Sequence, residues 1–321
     1  MKVPGWAQDA ASAAVTRFNR VMFRSVPAGP DVPRAADSWS FAAIGDFGAG
    51  TQAQLDVARN VLAGSQQIVL TLGDTVYDSG LESEYAQHFD PPERFGAIRA
   101  KYPVFPTVGN HDVKGGGVEP YLKRFPEAGG QRRYVFERGD VRFFSLDSTE
   151  AMTPGSPQWQ WMERELSQAW HGWKVAFMHH PLRSNHAGRD RPDEAAAIGA
   201  LFAKHGVDLL LVGHDHGYDR SKPLNEWGTV QVTAGNGGRM LYPYLAKQPE
   251  WSAFREAQHG HVDVEVRGDA LVVRHVRRDG TVGDTSVIPN RRAIAAAGQS
   301  SEASSSASAS SSRRVTASAS S

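Results

Sequence analysis

Asp46, Asp74, Asn110, His179, His214 and His216 each stand just beyond a short apolar run. Carboxylate, amide and imidazole are the side chains that bind hard and borderline cations. The central case is residues 67–78. There Ile68-Val69-Leu70-Thr71-Leu72 is stopped by Gly73-Asp74, which reads as a buried strand with Asp74 at its tip. A carboxylate can bridge two cations, and the Tyr77 phenol three residues on can bind one of them. Asp74 is therefore the candidate centre of a two-metal site. His214 and His216 lie two residues apart at another strand end, so alternate side chains can face one site.

Positioning such donors takes five strands. Residues 41–44 run into Gly45-Asp46, 68–72 into Gly73-Asp74, and 104–108 into Gly109-Asn110-His111-Asp112. Residues 175–178 run into His179-His180-Pro181, and 208–212 into Gly213-His214-Asp215-His216. The spacing puts all of them at one edge of a sheet, where the loops of α/β proteins build ligand sites. Thr51 is expected to cap a helix with Leu55, Ala58 and Leu62 on one face, closed by Gly64. Ser156-Pro157 opens a second helix with Trp159, Met162, Leu166 and Trp170 aligned, and Asp193 is expected to cap a third that ends at Gly206. Residues 134–136 and 141–146 read as a hairpin around Arg138-Gly139-Asp140, with Asp147 after it a structural turn residue. The glycine-rich segment 113–133 is expected to line the site entrance, and 235–238 to form a tight turn near it. From residue 230 the apolar period shortens to two, which suggests antiparallel strands completing a second sheet.

Composition narrows the function classes. The 321 residues carry 35 basic and 35 acidic side chains, so no global field steers the chain to nucleic acid or an anionic membrane. Cysteine is absent, which removes disulfides, thiolate metal sites and cysteine nucleophiles. No apolar run spans a membrane and no secretory leader is visible, which favours the cytoplasm. Three regions are expected: an extension over 1–38, with apolar residues Val15, Phe18, Val21 and Met22 on an outer helix, a catalytic domain over 39–289, and a disordered Ser/Ala-rich tail over 290–321.

The motifs Gly-Asp-x-Gly at 45–48, Gly-Asp-x-x-Tyr at 73–77, Gly-Asn-His-Asp at 109–112, His179 before Pro181, and Gly-His-x-His at 213–216 resemble the calcineurin-like metallophosphoesterases. Within them the pattern is similar to the purple acid phosphatase branch. The resemblance implies an α+β fold, a four-layer αββα sandwich of two mixed sheets flanked by helices. It implies that Asp46, Tyr77 and His216 hold one metal, that Asn110, His179 and His214 hold another, and that Asp74 bridges them. Many relatives outside the purple branch have Asp-x-His in the first motif, whereas Phe47-Gly48 follows Asp46 here. A hard phenolate from Tyr77 favours Fe(III), and the other side suits Fe(II), Zn(II) or Mn(II).

Two cations roughly 3.5–4 Å apart acidify a bound water and stabilise an in-line displacement at phosphorus. The resemblance makes His111 a contact to the phosphate or the leaving oxygen. It also offers His180 or His186 as a further proton donor, with His186 near but not at the family's usual offset. The expected activity is acid phosphatase-type phosphomonoester hydrolysis of small molecules. A phosphodiesterase or nucleotidase on the same fold, and a non-catalytic scaffold, remain as alternatives, with substrate choice residing in 113–133 and 239–256. Arg183, Arg189 and Arg191 read as a solvated loop, with phosphate binding as their alternative. The remaining histidines, His88, His171, His205, His259, His261 and His275, read as hydrogen-bonded core residues.

Overall fold

In the strands that carry the donors, both side-chain sets are apolar, so both faces must be covered. The computed structural model, which describes residues 34–115 and 117–292, shows how. Strand β1 (Trp39–Ile44) turns Phe41 and Ala43 toward the opposite sheet and Ala42 and Ile44 toward helices. Strand β6 (Trp173–Met178) does the same with Val175 and Phe177 inward and Ala176 and Met178 outward. The result is helices, sheet, sheet, helices. The expected outer helix with Val15, Phe18, Val21 and Met22 and the tail from 293 lie outside the described residues.

The first sheet has the order β13-β12-β11-β1-β2-β3, with β2 (Ile68–Thr71) and β3 (Val104–Pro106) parallel to β1. Strands β11 (Gly260–Val266), β12 (Ala270–Arg277) and β13 (Val282–Pro289) extend it antiparallel. Of the late period-two runs, 262–266 and 271–273 thus enlarge the first sheet instead of completing a second, because β11 finds the free edge of β1, while 230–232 does join the second sheet. The second sheet runs β10-β8-β9-β7-β6-β5-β4, with β5 (Val141–Ser145), β6, β7 (Leu209–Val212) and β9 (Val230–Ala234) mutually parallel. Strands β4 (Tyr134–Arg138), β8 (Tyr218–Ser221) and β10 (Ser252–Glu256) pair antiparallel. The donor strands therefore belong to two sheets, three to one and two to the other, and not to one edge of a single sheet.

Helix α1 (Gln52–Ala63) starts at Thr51, whose hydroxyl accepts from the Gln54 N–H. It buries Ala53, Val57, Ala58 and Val61; the expected stripe was rotated, and Leu55 and Leu62 lie half-buried at its margin. After α2 (Glu82–His88) and α3 (Ala97–Lys101) the chain enters β3. The segment 113–133 contains α4 (Glu119–Arg124), and its Tyr121 and Phe125 turn into the helix-side core with Phe89. It anchors the layer and its aromatics do not line the entrance. Helix α5 (Pro157–Leu166) is capped by Ser156 as expected, and buries Met162 and Leu166. Helix α6 (Pro192–His205) begins two residues earlier than expected, so Asp193 falls inside the first turn instead of capping it; Gly206 closes it in the left-handed conformation. His171 is exposed, not a core residue, because it sits in the short loop into β6.

Between the sheets, Phe143 packs against Phe41 at 5.2 Å and Phe136 at 4.6 Å, fully buried. Replacing Phe143 by alanine is expected to cost about 3–5 kcal/mol in urea unfolding, since the void lies between two sheets that cannot collapse independently.

Candidate metal centre

Each donor loop leaves its strand sharply. Asp46, Asp74 and His214 adopt φ of 58°, 51° and 68°, left-handed backbone that non-glycine residues avoid. Such strain persists only where the surroundings hold it, and here the loops hold one another. The Asp46 N–H donates to the Gly73 carbonyl, the Gly45 N–H to Ala234, and the Arg239 N–H to the Asp46 carbonyl. The turn at 235–238 also donates from Gly237 to Gly45. It therefore ties the ends of the two sheets together at the site, where the sequence had put a tight turn.

The glycines before the donors allow this approach. A Cβ on Gly109 would lie 2.1 Å from the Asp74 nitrogen, and one on Gly213 would lie 2.6 Å from the Leu72 carbonyl and 2.7 Å from Asp46 Oδ2.

The seven expected donors meet. Asp46 gives Oδ2 to the His214 N–H at 2.7 Å and turns Oδ1 to Tyr77 Oη at 2.8 Å and His216 Nε2 at 3.3 Å. Tyr77 Oη and His216 Nε2 are 3.3 Å apart, which closes a triangle. Asp74 gives Oδ1 to the His111 N–H at 2.8 Å and turns Oδ2 to His179 Nε2 at 3.4 Å. His179 Nε2 in turn lies 3.1 Å from Asn110 Oδ1 and 3.2 Å from His214 Nδ1. Asp46, Asp74 and His179 present ligand atoms within 4.8 Å of one another, so Asp74 stands where the two groups meet.

Carbonyl oxygens fix the tautomers. His179 Nδ1–H donates to Leu72 at 2.8 Å and His216 Nδ1–H to Met240 at 2.7 Å, which leaves both Nε2 lone pairs aimed into the centre. Lone-pair atoms facing each other at about 3 Å require positive charge among them, and ligand bonds of about 2.1 Å give edges of that length. The residues thus fit two cations. Electrostatics agree: burial pushes the His179 imidazole down, yet Asp74 and Asp46 raise it to about 10. Burial, reinforced by Asp46, pushes the Tyr77 phenol well above its usual range, so its use as a phenolate depends on a cation beside it.

Three side chains around the donors, Asp112, Tyr242 and Arg239, were not singled out as site residues by the sequence. Asp112 is fully buried and accepts from the Thr75 and Gly109 N–H groups at 2.9 Å each, bracing two donor loops; burial and then Asp74 raise its carboxyl to about 7. Its place in Gly-Asn-His-Asp was the available signal. Tyr242 stacks on His216 at 4.0 Å, and Arg239 lies 4.4 Å over the Tyr77 ring while pairing with Asp78 at 2.9 Å. No spacing pointed to Tyr242, although Arg239 directly follows the turn at 235–238. His180 places a ring nitrogen within reach of His179 and His214, with its Nδ1 engaged by Ser148 Oγ at 2.9 Å. His186 packs on Tyr244 at 4.9 Å and Tyr242 at 5.7 Å, one ring removed from His216. Arg189 is not simply solvated: it covers the Tyr242 ring at 4.8 Å and donates to the His214 carbonyl at 3.2 Å. Asp147 is a buried structural residue that accepts from Arg132 and Thr149.

Two sheets whose shared carboxyl edge gathers carboxylate, phenol, amide and imidazole donors define an αββα protein built for a two-metal centre. The chain belongs to the calcineurin-like phosphoesterase family, which matches residues 40–218, and residues 228–285 match the iron/zinc purple acid phosphatase-like protein C family. It is 28% identical to the phosphoenolpyruvate phosphatase of Allium cepa, over 72% of this chain and 56% of that protein. It is 26% identical to the Fe(3+)-Zn(2+) purple acid phosphatase 12 of Arabidopsis thaliana, over 74% of this chain and 58% of that protein. The chain therefore spans little more than half the length of these relatives. The purple acid phosphatase PPD1 from yellow lupin (Lupinus luteus) seeds shares the fold with TM-score 0.72 at 21% identity, covering 80% of this chain and 55% of that one. Among the described residues no helix is long and apolar enough to cross a membrane.

Gly213→Ala is expected to destabilise the protein by about 1–3 kcal/mol and to lower its metal content, because the added methyl meets a backbone carbonyl and a buried carboxylate. Thermal unfolding and metal analysis of the same sample check both.

Proposed function

We propose that this protein hydrolyses small phosphomonoesters with a two-metal centre, in the manner of an acid phosphatase. The observation that carries the reading is the Asp46–Tyr77–His216 triangle and the cluster of Asn110 and His214 on His179, with Asp74 between the two. Asp46, Tyr77 and His216 would hold one cation and Asn110, His179 and His214 the other, with Asp74 between. The phenol side suits Fe(III) and the imidazole and amide side Fe(II), Zn(II) or Mn(II). The Fe(3+)-Zn(2+) name of the Arabidopsis relative supports this pairing. Two bound cations supply an acidified water and neutralise the charge of an in-line displacement.

The chain's own groups do the rest. His111 donates Nδ1–H to the Asp78 carbonyl at 2.7 Å, which holds its ring over Asp74 with Nε2 3.9 Å from Oδ2. A proton carried on that Nε2 is delivered to the leaving oxygen. Arg239, fixed by Asp78 and by the Tyr77 ring, supplies a rim donor for phosphoryl oxygens. His186 donates Nδ1–H to the Pro243 carbonyl at 2.9 Å and backs Tyr242, which gives it a positioning role behind His216.

Metal analysis of the purified protein is expected to find two ions with iron among them, and a violet band that disappears in Tyr77→Phe. Two colourless divalent ions would reduce Tyr77 to a packing contact. Asp74→Ala is expected to abolish hydrolysis of p-nitrophenyl phosphate, and undiminished turnover would sink the reading. Wild-type protein is expected to favour that monoester over bis-p-nitrophenyl phosphate. His111→Ala should lower kcat by about 10²–10⁴-fold. His186→Ala should cost no more than about tenfold, felt mainly in KM; an equal loss in kcat would place His186 on the reacting atoms.

A further inference from the structure

A cavity of about 270 Å³ opens against His214, lined by His180, Pro181, Gly188, Arg189, Asp190 and Arg191. It lies beside the imidazole and amide side of the centre, since His214 lines it and is one of that side's donors. Its lining is polar and cationic. Asp190 is committed to Arg183 through paired contacts at 2.9 and 3.0 Å, and also accepts from the Ser184 N–H at 3.1 Å, so its charge is already matched. Arg189 commits one terminal nitrogen to the His214 carbonyl and to Asp215, at 3.2 and 3.4 Å. Arg191 commits one to Glu194 at 2.7 Å. A guanidinium carries five N–H donors in a rigid fork that matches an oxyanion, so each can still engage one. His180, with Nδ1 engaged by Ser148, has Nε2 for the same use.

The transferred phosphoryl group must sit over the two donor groups, so whatever enters this cavity belongs to the part of the substrate that leaves. We propose that the cavity binds a second anionic group, phosphate or carboxylate, a few bonds from the scissile phosphorus, and that phosphate esters and anhydrides bearing such a group are this protein's substrate class. The inference rests on the hydrolase reading above. In the reaction, the water oxygen bonds to the terminal phosphorus, the bridging P–O bond breaks, and the departing oxygen takes up the proton. With a diphosphate, the leaving phosphate is the group held by Arg189 and Arg191.

The test compares kcat/KM for inorganic pyrophosphate, phosphoenolpyruvate and p-nitrophenyl phosphate in the metal-loaded full chain and in Arg189→Gln and Arg191→Gln. The ratio of each substrate with a second anionic group to p-nitrophenyl phosphate is expected to exceed one in wild type and to fall about tenfold in each variant, mainly through KM. Taking the ratio within one preparation cancels any loss of folded protein. A fall with pyrophosphate alone assigns the cavity to phosphate, and one with phosphoenolpyruvate alone assigns it to carboxylate. Methylenediphosphonate should inhibit p-nitrophenyl phosphate turnover with a Ki that rises about tenfold in the same variants. Unchanged ratios with p-nitrophenyl phosphate still hydrolysed overturn this inference alone, whereas no turnover of any substrate by wild type overturns it together with the hydrolase reading.

Discussion

Asp46 and Asp74 are almost completely withdrawn from water, and the charge they bring inside governs the arrangement around them. A buried carboxylate without compensation costs several kcal/mol, more than one packed side chain returns. Each is held by a backbone N–H on one oxygen and faces imidazole with the other. The net effect on Asp74 is instructive. Burial raises its carboxyl, but His179 and His111 outweigh that and leave it well below the usual range. The site thus keeps its negative charge and calls for positive charge in the middle, which is the electrostatic definition of a cation site.

Meeting that demand takes both sheets. One sheet supplies oxygen-rich ends, with Asp46, Asp74, Tyr77 and Asn110, and the other supplies His179, His214 and His216. Neither set could close around two cations alone. The sheets are therefore joined where the donors emerge, through Gly45 to Ala234 and Gly237 to Gly45, and the left-handed backbone at three donors is the local consequence of turning so abruptly. The aromatic contacts of Phe143 and the strained loops at the edge serve one end: they set the spacing at which imidazole and carboxylate meet.

Most of this was legible in the sequence because the donors follow apolar runs, and a run that stops at Gly-Asp or Gly-His announces both the strand and its tip. The donors and the two helices after Thr51 and Ser156 came from local chemistry of that kind. What the sequence hid was pairing. Whether β11 joins the first sheet or another depends on which edge is free, and period two is the same in either case. The face of α1 shifted because alanine and valine, not the larger Leu55 and Leu62, fit close to β1 and β2. The role of Asp112 was masked by its neighbours, since a carboxylate that braces backbone reads no differently in sequence from one that binds metal. Tyr242 reaches the site from a distant loop with no local signal to mark it, and Arg189 read mainly as solvated because a charged loop looks the same in sequence whether or not it folds over an aromatic ring.

Arg239 and Arg189 bear on how a chain of zero net charge would draw an anion to such a centre. Arg239 lies over Tyr77 and is tied to Asp78, and Arg189 lies over Tyr242 and is tied to Asp215. Each guanidinium is thus fixed against an aromatic face by an acid on the far side, so little side-chain freedom is lost when an oxyanion arrives. The tethering acids cancel the guanidinium charge at a distance, while the fixed forks keep their direction close by. Field at the rim is then local and directional, strong over a few ångströms and negligible beyond a Debye length of about 8 Å. On the proposed hydrolase reading, an anionic ester would then be recognised only at the mouth of the centre, by the shape and donors of the two flanks.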